Sequence, residues 1–296
     1  MDEQQWLADR FEEHRAHLRA VAYRMLGSLA EADDAVQDSW LRLSRSGASD
    51  VENLGGWLTT IVARVCLNIL RSRSARREES LGLHLPDPVV KSPEEEALLA
   101  DSVSLALLVV LDTLAPAERL AFVLHDMFEL PFEQIAAMAG RTPAAARQLA
   151  SRARRRVKGA EIPVPDADIA RQRQVVDAFF EAARGGDFEA LVALLDPDVV
   201  LRSDAGATRP GASVVIRGAA AVAGQALGGG IGGDRVREVA LLRPVLVNGA
   251  AGVVVIVRGR PFVVMGFTVT DGKIVAIDVI AGPERVSRIA AGVLTD

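Results

Sequence analysis

At 296 residues the chain is longer than one average domain of about 100–200 residues and has room for two or three. Half of it is hydrophobic and a quarter is charged, the balance of folded globular material. No apolar run approaches the roughly 20 residues that cross a bilayer, and the acidic opening MDEQQWLADRFEEHR is unlike a secretory signal. A cytoplasmic protein with no membrane contact is therefore expected. One cysteine, Cys66, excludes an internal disulfide framework, and His14, His17, His84 and His125 make no zinc pattern, so neither a metal site nor a cofactor is expected. The net charge of −5 excludes nothing about nucleic acid, because phosphate contacts depend on where the cations sit.

Residues 1–77 read as helical. In the stretch 32–43, Ala35, Val36, Trp40, Leu41 and Leu43 are apolar, while Asp33, Asp34, Gln37 and Asp38 form a polar face. An acidic and amide face beside apolar residues suits a protein partner. Acids are equally favoured at a solvated helix N-terminus, so the pattern alone leaves both readings open. In GGWLTTIVARVCLNILRSRSARR (55–77), Trp57, Leu58, Ile61, Val62, Val65 and Ile69 make an apolar stripe. Thr60, Arg64, Asn68 and Arg71 follow another face at helical spacing and run into the acid-free cluster Arg71, Arg73, Arg76 and Arg77. Such a helix can bury one side and lay the other along phosphates or an unpaired strand.

Residues 78–96 carry Pro86, Pro88 and Pro93 with an acidic run and no sustained period, which reads as a linker. Residues 97–160 are helical again and hold the sharpest motif, FEQIAAMAGRTPAAARQLASRARRRV (132–157). A short helix should end near Gly140, with Thr142 as N-cap and Pro143 in the first turn of the next helix. Ala145, Leu149, Ala153 and Val157 are expected on its buried side, and Arg147, Gln148, Ser151, Arg152 and Arg155 on the exposed one. One small-residue face that packs and one basic face that reaches base edges is helix-turn-helix logic. The competing reading is an arginine-rich surface helix of an ordinary bundle.

Residues 161–168, with IPVPD, read as a short stiff linker. From 169 to 296 two helices are expected, then strands, with Asn248-Gly249 and Asp271-Gly272 as hairpin turns: an α+β domain.

These motifs support a resemblance. MLGSLAEADDAVQDSWLRL followed by GGWLTTIVARVCLNILRSR resembles region 2 of bacterial RNA polymerase sigma factors, and LDTLAPAERLAFVLHDMFELPFEQIAAMAGRTPAAARQLASRARRRV resembles region 4. Their order and spacing are similar to the extracytoplasmic-function (ECF) group. The linker LHLPDPVV and the long C-terminal block resemble members with a SnoaL-like extension, the sigma-J type. The resemblance implies two all-α sigma domains followed by an α+β cone of the nuclear transport factor 2-like kind, with a cavity able to take a small-molecule ligand. It implies docking on core RNA polymerase: Asp34, Gln37, Asp38, Trp40 and Leu41 on the β′ clamp helices, and region 4 on the β flap. The loop 44–54 and the helix 57–77, with Arg64, Asn68, Arg71, Arg73, Arg76 and Arg77, would hold the opened −10 element of promoter DNA. Arg141, Thr142, Arg147, Gln148, Ser151, Arg152 and Arg155 would serve the −35 element.

The same resemblance implies control in cis by the extension, through Leu85, Pro86 and Pro88 of the linker, Asp204, and the tail residues Pro283, Glu284 and Arg285. Two departures bear on that control. SDAGAT (203–208) stands where the group has an Asp-Gly-Gly-Gly-type turn, and Gly282-Pro283-Glu284-Arg285 stands where it has an Asn-Pro-Asp-Lys-type motif. The expectation is a promoter-recognition factor and not an enzyme. Two alternatives are a one-component DNA-binding regulator with a ligand-sensing domain, and a SnoaL-like enzyme fused to DNA-binding domains. For the latter, Asp204 and Asp278 are the acid–base candidates, because residues 165–296 contain no histidine.

Overall fold

The computed structural model describes residues 3–46, 53–77, 84–93, 103–205, 213–228 and 240–294. They fall into two compact units: Met1–Leu81 with Leu107–Ile162, and Gly82–Ala106 with Pro163–Asp296.

The first unit is all helical. α1 (Glu3–Leu26), α2 (Leu29–Ser46) and α3 (Leu54–Arg77) pack on one another around Leu18, Val21, Met25, Val36, Leu43 and Leu58. Gly27, at φ +67°, supplies the left-handed residue that ends α1. α3 also meets the later helices, so it is covered on more than one side. Its fully buried residues are Leu58, Val62, Ala63, Cys66 and Leu67. The expected stripe is thus rotated: Trp57, Ile61, Val65 and Ile69 lie half-buried at its margin. Small residues such as Ala63 and Cys66 take the tightest positions, where a helix hemmed in by several neighbours has least room.

α4 (Leu105–Asp112) and α5 (Pro116–Phe122) lead through a π-helical turn, Val123–Met127, into the helix-turn-helix of α6 (Phe132–Ala139) and α7 (Pro143–Gly159). Three backbone features form as expected. Gly140 closes α6 at φ +66°, Thr142 Oγ1 accepts from Ala145 N at 3.2 Å, and Pro143 opens α7. The buried side of α7 is Ala146, Ala150 and Ala153, one residue on from the expected Ala145 and Leu149, which are half-buried. Alanine wins the seam because α7 lies close against α5 and α6, where a leucine would hold the backbones apart.

The second unit is α+β. A seven-stranded sheet runs in the order β1-β4-β5-β6-β7-β2-β3. The strands are β1 (Val90–Lys91), β2 (Leu195–Asp204), β3 (Val214–Arg217), β4 (Ala240–Val247), β5 (Ala250–Val257), β6 (Arg260–Thr270) and β7 (Lys273–Ala281). One face is covered by α8 (Ile169–Gly185), α9 (Phe188–Leu194) and α10 (Ala219–Gly228), around a core where Phe179, Phe180 and Phe267 meet edge to face. Alternation places Val254, Val264 and Ile280 on the other face, where α11 (Pro283–Ile289) packs against β6 and β7.

Besides the C-terminal helix α11, this unit departs from the sequence expectation in four places. α10 forms from a run of small residues with no clear period. β2 pairs with β7 in parallel, so only β4–β7 make an antiparallel meander. A third tight turn joins Asn248-Gly249 and Asp271-Gly272: Arg258-Gly259, with both residues at positive φ. Lastly, the segment read as a linker contributes β1, which pairs with the end of β4.

Candidate nucleic-acid interface

On α7, Arg147, Gln148, Ser151, Arg152 and Arg155 are all exposed, with Arg141 and Thr142 exposed at its start. Three acids from neighbouring elements divide the cations of this helix. Asp126 in the π turn holds Arg154 at 2.5 Å, and Glu118 of α5 lies 3.3 Å from Arg156. These two arginines brace the helix. Arg147 lies 2.9 Å from Glu133 of α6, and both side chains are mostly exposed, so the pair adds at most about 1 kcal/mol and leaves the guanidinium accessible. The face that can enter a major groove is therefore Arg147, Gln148, Ser151, Arg152 and Arg155.

On α3, Arg64, Asn68 and Arg71 share an exposed face. Arg64 also reaches the carbonyl of Ala137 at 3.4 Å. Arg73 is placed differently from its neighbours on this helix. Its guanidinium donates to Leu26 O at 2.9 Å and pairs with Glu31, so it ties α3 to the α1–α2 corner. At the end of a helix wrapped by its neighbours, two residues past Arg71 point to a different side. The side chains of Arg76 and Arg77, and residues 47–52 of the expected −10 loop, lie outside the described residues.

α2 presents Asp34, Gln37, Asp38 and Leu41 as one exposed face, with Leu41 at 41%. Trp40 is half-buried and packs on Phe11, ring centroids 5.2 Å apart. It supports that face more than it lines it.

The interdomain segment is held by the second unit. Leu85, Pro86, Asp87 and Pro88 are buried. Arg285 is the centre of the clasp: Nε donates to Asp87 at 2.6 Å, Nη1 to Asp204 at 2.7 Å, and Nη2 to the Leu85 carbonyl. Asp204 Oδ2 also accepts from Leu85 N at 2.9 Å, and His84 Nδ1 lies 3.4 Å away. A second clasp is Asn248. Its backbone N donates to Val89 O, Oδ1 accepts from Val89 N, and Nδ2 donates to Val103 O, all within 3.0 Å. Both ends of the segment are thus gripped. Of the expected regulatory residues, Pro283 and Glu284 are exposed, and the helical turn they open carries Arg285 into place.

Asp87 and Asn248 were missed. A lone aspartate between prolines reads as loop, and an Asn-Gly pair is already explained as a hairpin turn. The catalytic candidates resolve structurally. Asp278 is gripped by Arg202 through two bonds of 2.6 and 3.1 Å, and Asp204 belongs to the clasp.

Two family models match the chain: sigma-70 region 2 over residues 10–76, and sigma-70 region 4 over residues 104–157. The chain is 37% identical to the ECF RNA polymerase sigma factor SigJ of Mycobacterium tuberculosis over 286 residues, 93% of this chain and 91% of that one. It belongs to the ECF sigma-factor family. The crystal structure of M. tuberculosis SigJ superposes with a TM-score of 0.73 at 34% identity, covering 96% of this chain and 98% of the other. The ECF sigma factor SigG of the same species is 27% identical over 64% of this chain and 59% of its own. As an ECF factor, this chain keeps both sigma regions, and SigJ matches it through the α+β extension as well.

Proposed function

We propose that this ECF factor binds core RNA polymerase in the cytoplasm and directs promoter-specific initiation, with α7 serving the −35 element, α3 the −10 element and the α2 face docking on the polymerase. The observation that carries this reading is a capped helix-turn-helix and a region 2 bundle in one chain, each with an exposed basic face whose backing cations are already spent on acids. Family membership supports it. The extension acts by contact and not by turnover: Asp204 and Asp278, its acid–base candidates, are engaged by arginine. Holding the linker through Arg285 and Asn248 is the contact that conveys its influence to the sigma regions.

Purified full-length chain mixed with core polymerase should co-migrate on gel filtration. Removal of Gly282–Asp296, which takes Arg285 with it, should change transcription without abolishing that association. A chain that binds promoter DNA tightly by itself and never associates with core polymerase would instead be a one-component regulator.

A further inference from the structure

The recognition helix carries one arginine whose environment differs from that of its neighbours. The guanidinium carbon of Arg147 lies 5.5 Å from the centroid of the Phe132 ring, within range of a cation–π contact. Its Nη2 donates to Glu133 Oε1 at 2.9 Å. Phe132 in turn stacks on His125, ring centroids 3.9 Å apart and planes 29° from parallel. His125 is itself fixed: Nδ1 lies 3.0 Å from the Leu130 carbonyl, which can only accept, so Nδ1 carries the proton.

Two uncommon backbone features surround His125. It sits inside the π-helical turn, and Glu129, a non-glycine residue, follows at φ +58°. Both are costly conformations that persist only where surrounding structure enforces them. The same turn grips α7 again through Asp126 and Arg154.

We propose that Phe132 and Glu133 are positioning residues for Arg147, presenting its guanidinium in a preset orientation so that it discriminates one base of the −35 element, with His125 fixing the ring from behind the helix-turn-helix. The inference rests on the reading that Arg147 contacts a base edge. Arginine reads guanine through two donors at once, so the gain from holding its planar fork is selectivity and not bulk affinity. One of its five N–H groups is used on Glu133, which leaves enough for a bidentate contact.

The test is transcription by holoenzyme, reconstituted from full-length chain and core polymerase, across templates randomised in the −35 element. Arg147→Ala should erase the base preference at one position. Phe132→Leu and Glu133→Gln should each weaken the preference at that same position by about two- to fivefold, the range of an exposed cation–π contact for the first and of an exposed ion pair for the second, while −10 preference holds. Phe132→Tyr, which keeps the ring, should restore it. Unchanged preference in either Phe132→Leu or Glu133→Gln, with Arg147→Ala still erasing it, overturns the positioning role and leaves base reading intact. Should Phe132→Leu fail to fold, Glu133→Gln alone decides. Unchanged preference in Arg147→Ala overturns the base contact itself, and the positioning role with it.

Discussion

Arg285 is an ion-pair partner of two carboxylates, Asp87 and Asp204, and donates to the Leu85 carbonyl as well. Asp204 retains 2% of its side-chain exposure and Asp87 11%, so removing the arginine takes this cation from two buried carboxylates. Arg285→Ala should therefore destabilise the second unit by about 3–5 kcal/mol in equilibrium denaturation, whereas Glu284→Ala next to it should be near neutral. Equal effects would mean that the clasp is not what holds the segment. Asp166, in the short stretch before α8, is a different case. It is half-buried, and backbone N–H groups of Gly272 and Asp271 hold its carboxyl below its ordinary value of 3.8. A depressed carboxylate contributes stability above its unfolded value and loses it as pH falls through the folded one. The stability gap between wild type and Asp166→Ala should accordingly be full above pH 3.8 and close as acid is added below it. A gap that persists in strong acid would assign the effect to something other than the charge.

Strands β5 and β6 place Gly252 directly opposite Gly266, and Val247 packs into the space their missing side chains leave. A Cβ on Gly266 would meet Val247 Cγ1 at 2.9 Å, with Leu105 Cδ2 at 3.6 Å, whereas one on Gly252 would also strike the Met265 carbonyl at 2.7 Å. Gly266→Ala should cost about 1–3 kcal/mol, and Val247→Ala in the same chain should recover part of it, measured by urea denaturation. Recovery at Gly252 should be smaller, because Val247→Ala removes the Val247 Cγ2 contact but leaves the Met265 carbonyl in place. The sequence carried no trace of this arrangement: two glycines in different strands become neighbours only once register is set. By contrast the Gly140–Thr142–Pro143 junction was legible, because each residue's backbone preference acts locally. The rotated stripes of α3 and α7 lie between these cases. Helical period fixes that a buried face exists, but which of two adjacent rows faces inward depends on the neighbours. The pairing of Arg73 with Glu31 escaped the sequence for the same reason.

For the whole chain, the two helical sigma regions were readable because their motifs are short, charged and ordered along the sequence. Around Leu85 composition alone read a linker and only the family resemblance named Leu85, Asp204 and Arg285, while Asp87 went unnoticed because it gains meaning only beside Arg285, about 200 residues away. Segments lacking a period read as linkers even when they are held as firmly as a strand. The central claim is that both sigma regions act together at a promoter. Run-off transcription with core polymerase on a template library tests it most directly. The account predicts discrete transcripts that require both a −35 and a −10 element. Arg152→Ala should alter preference only at the −35 element, by about 1–3 kcal/mol of discrimination, and Arg71→Ala should lower use of all promoters. Transcripts that are absent with core polymerase, or that start independently of either element, would contradict it.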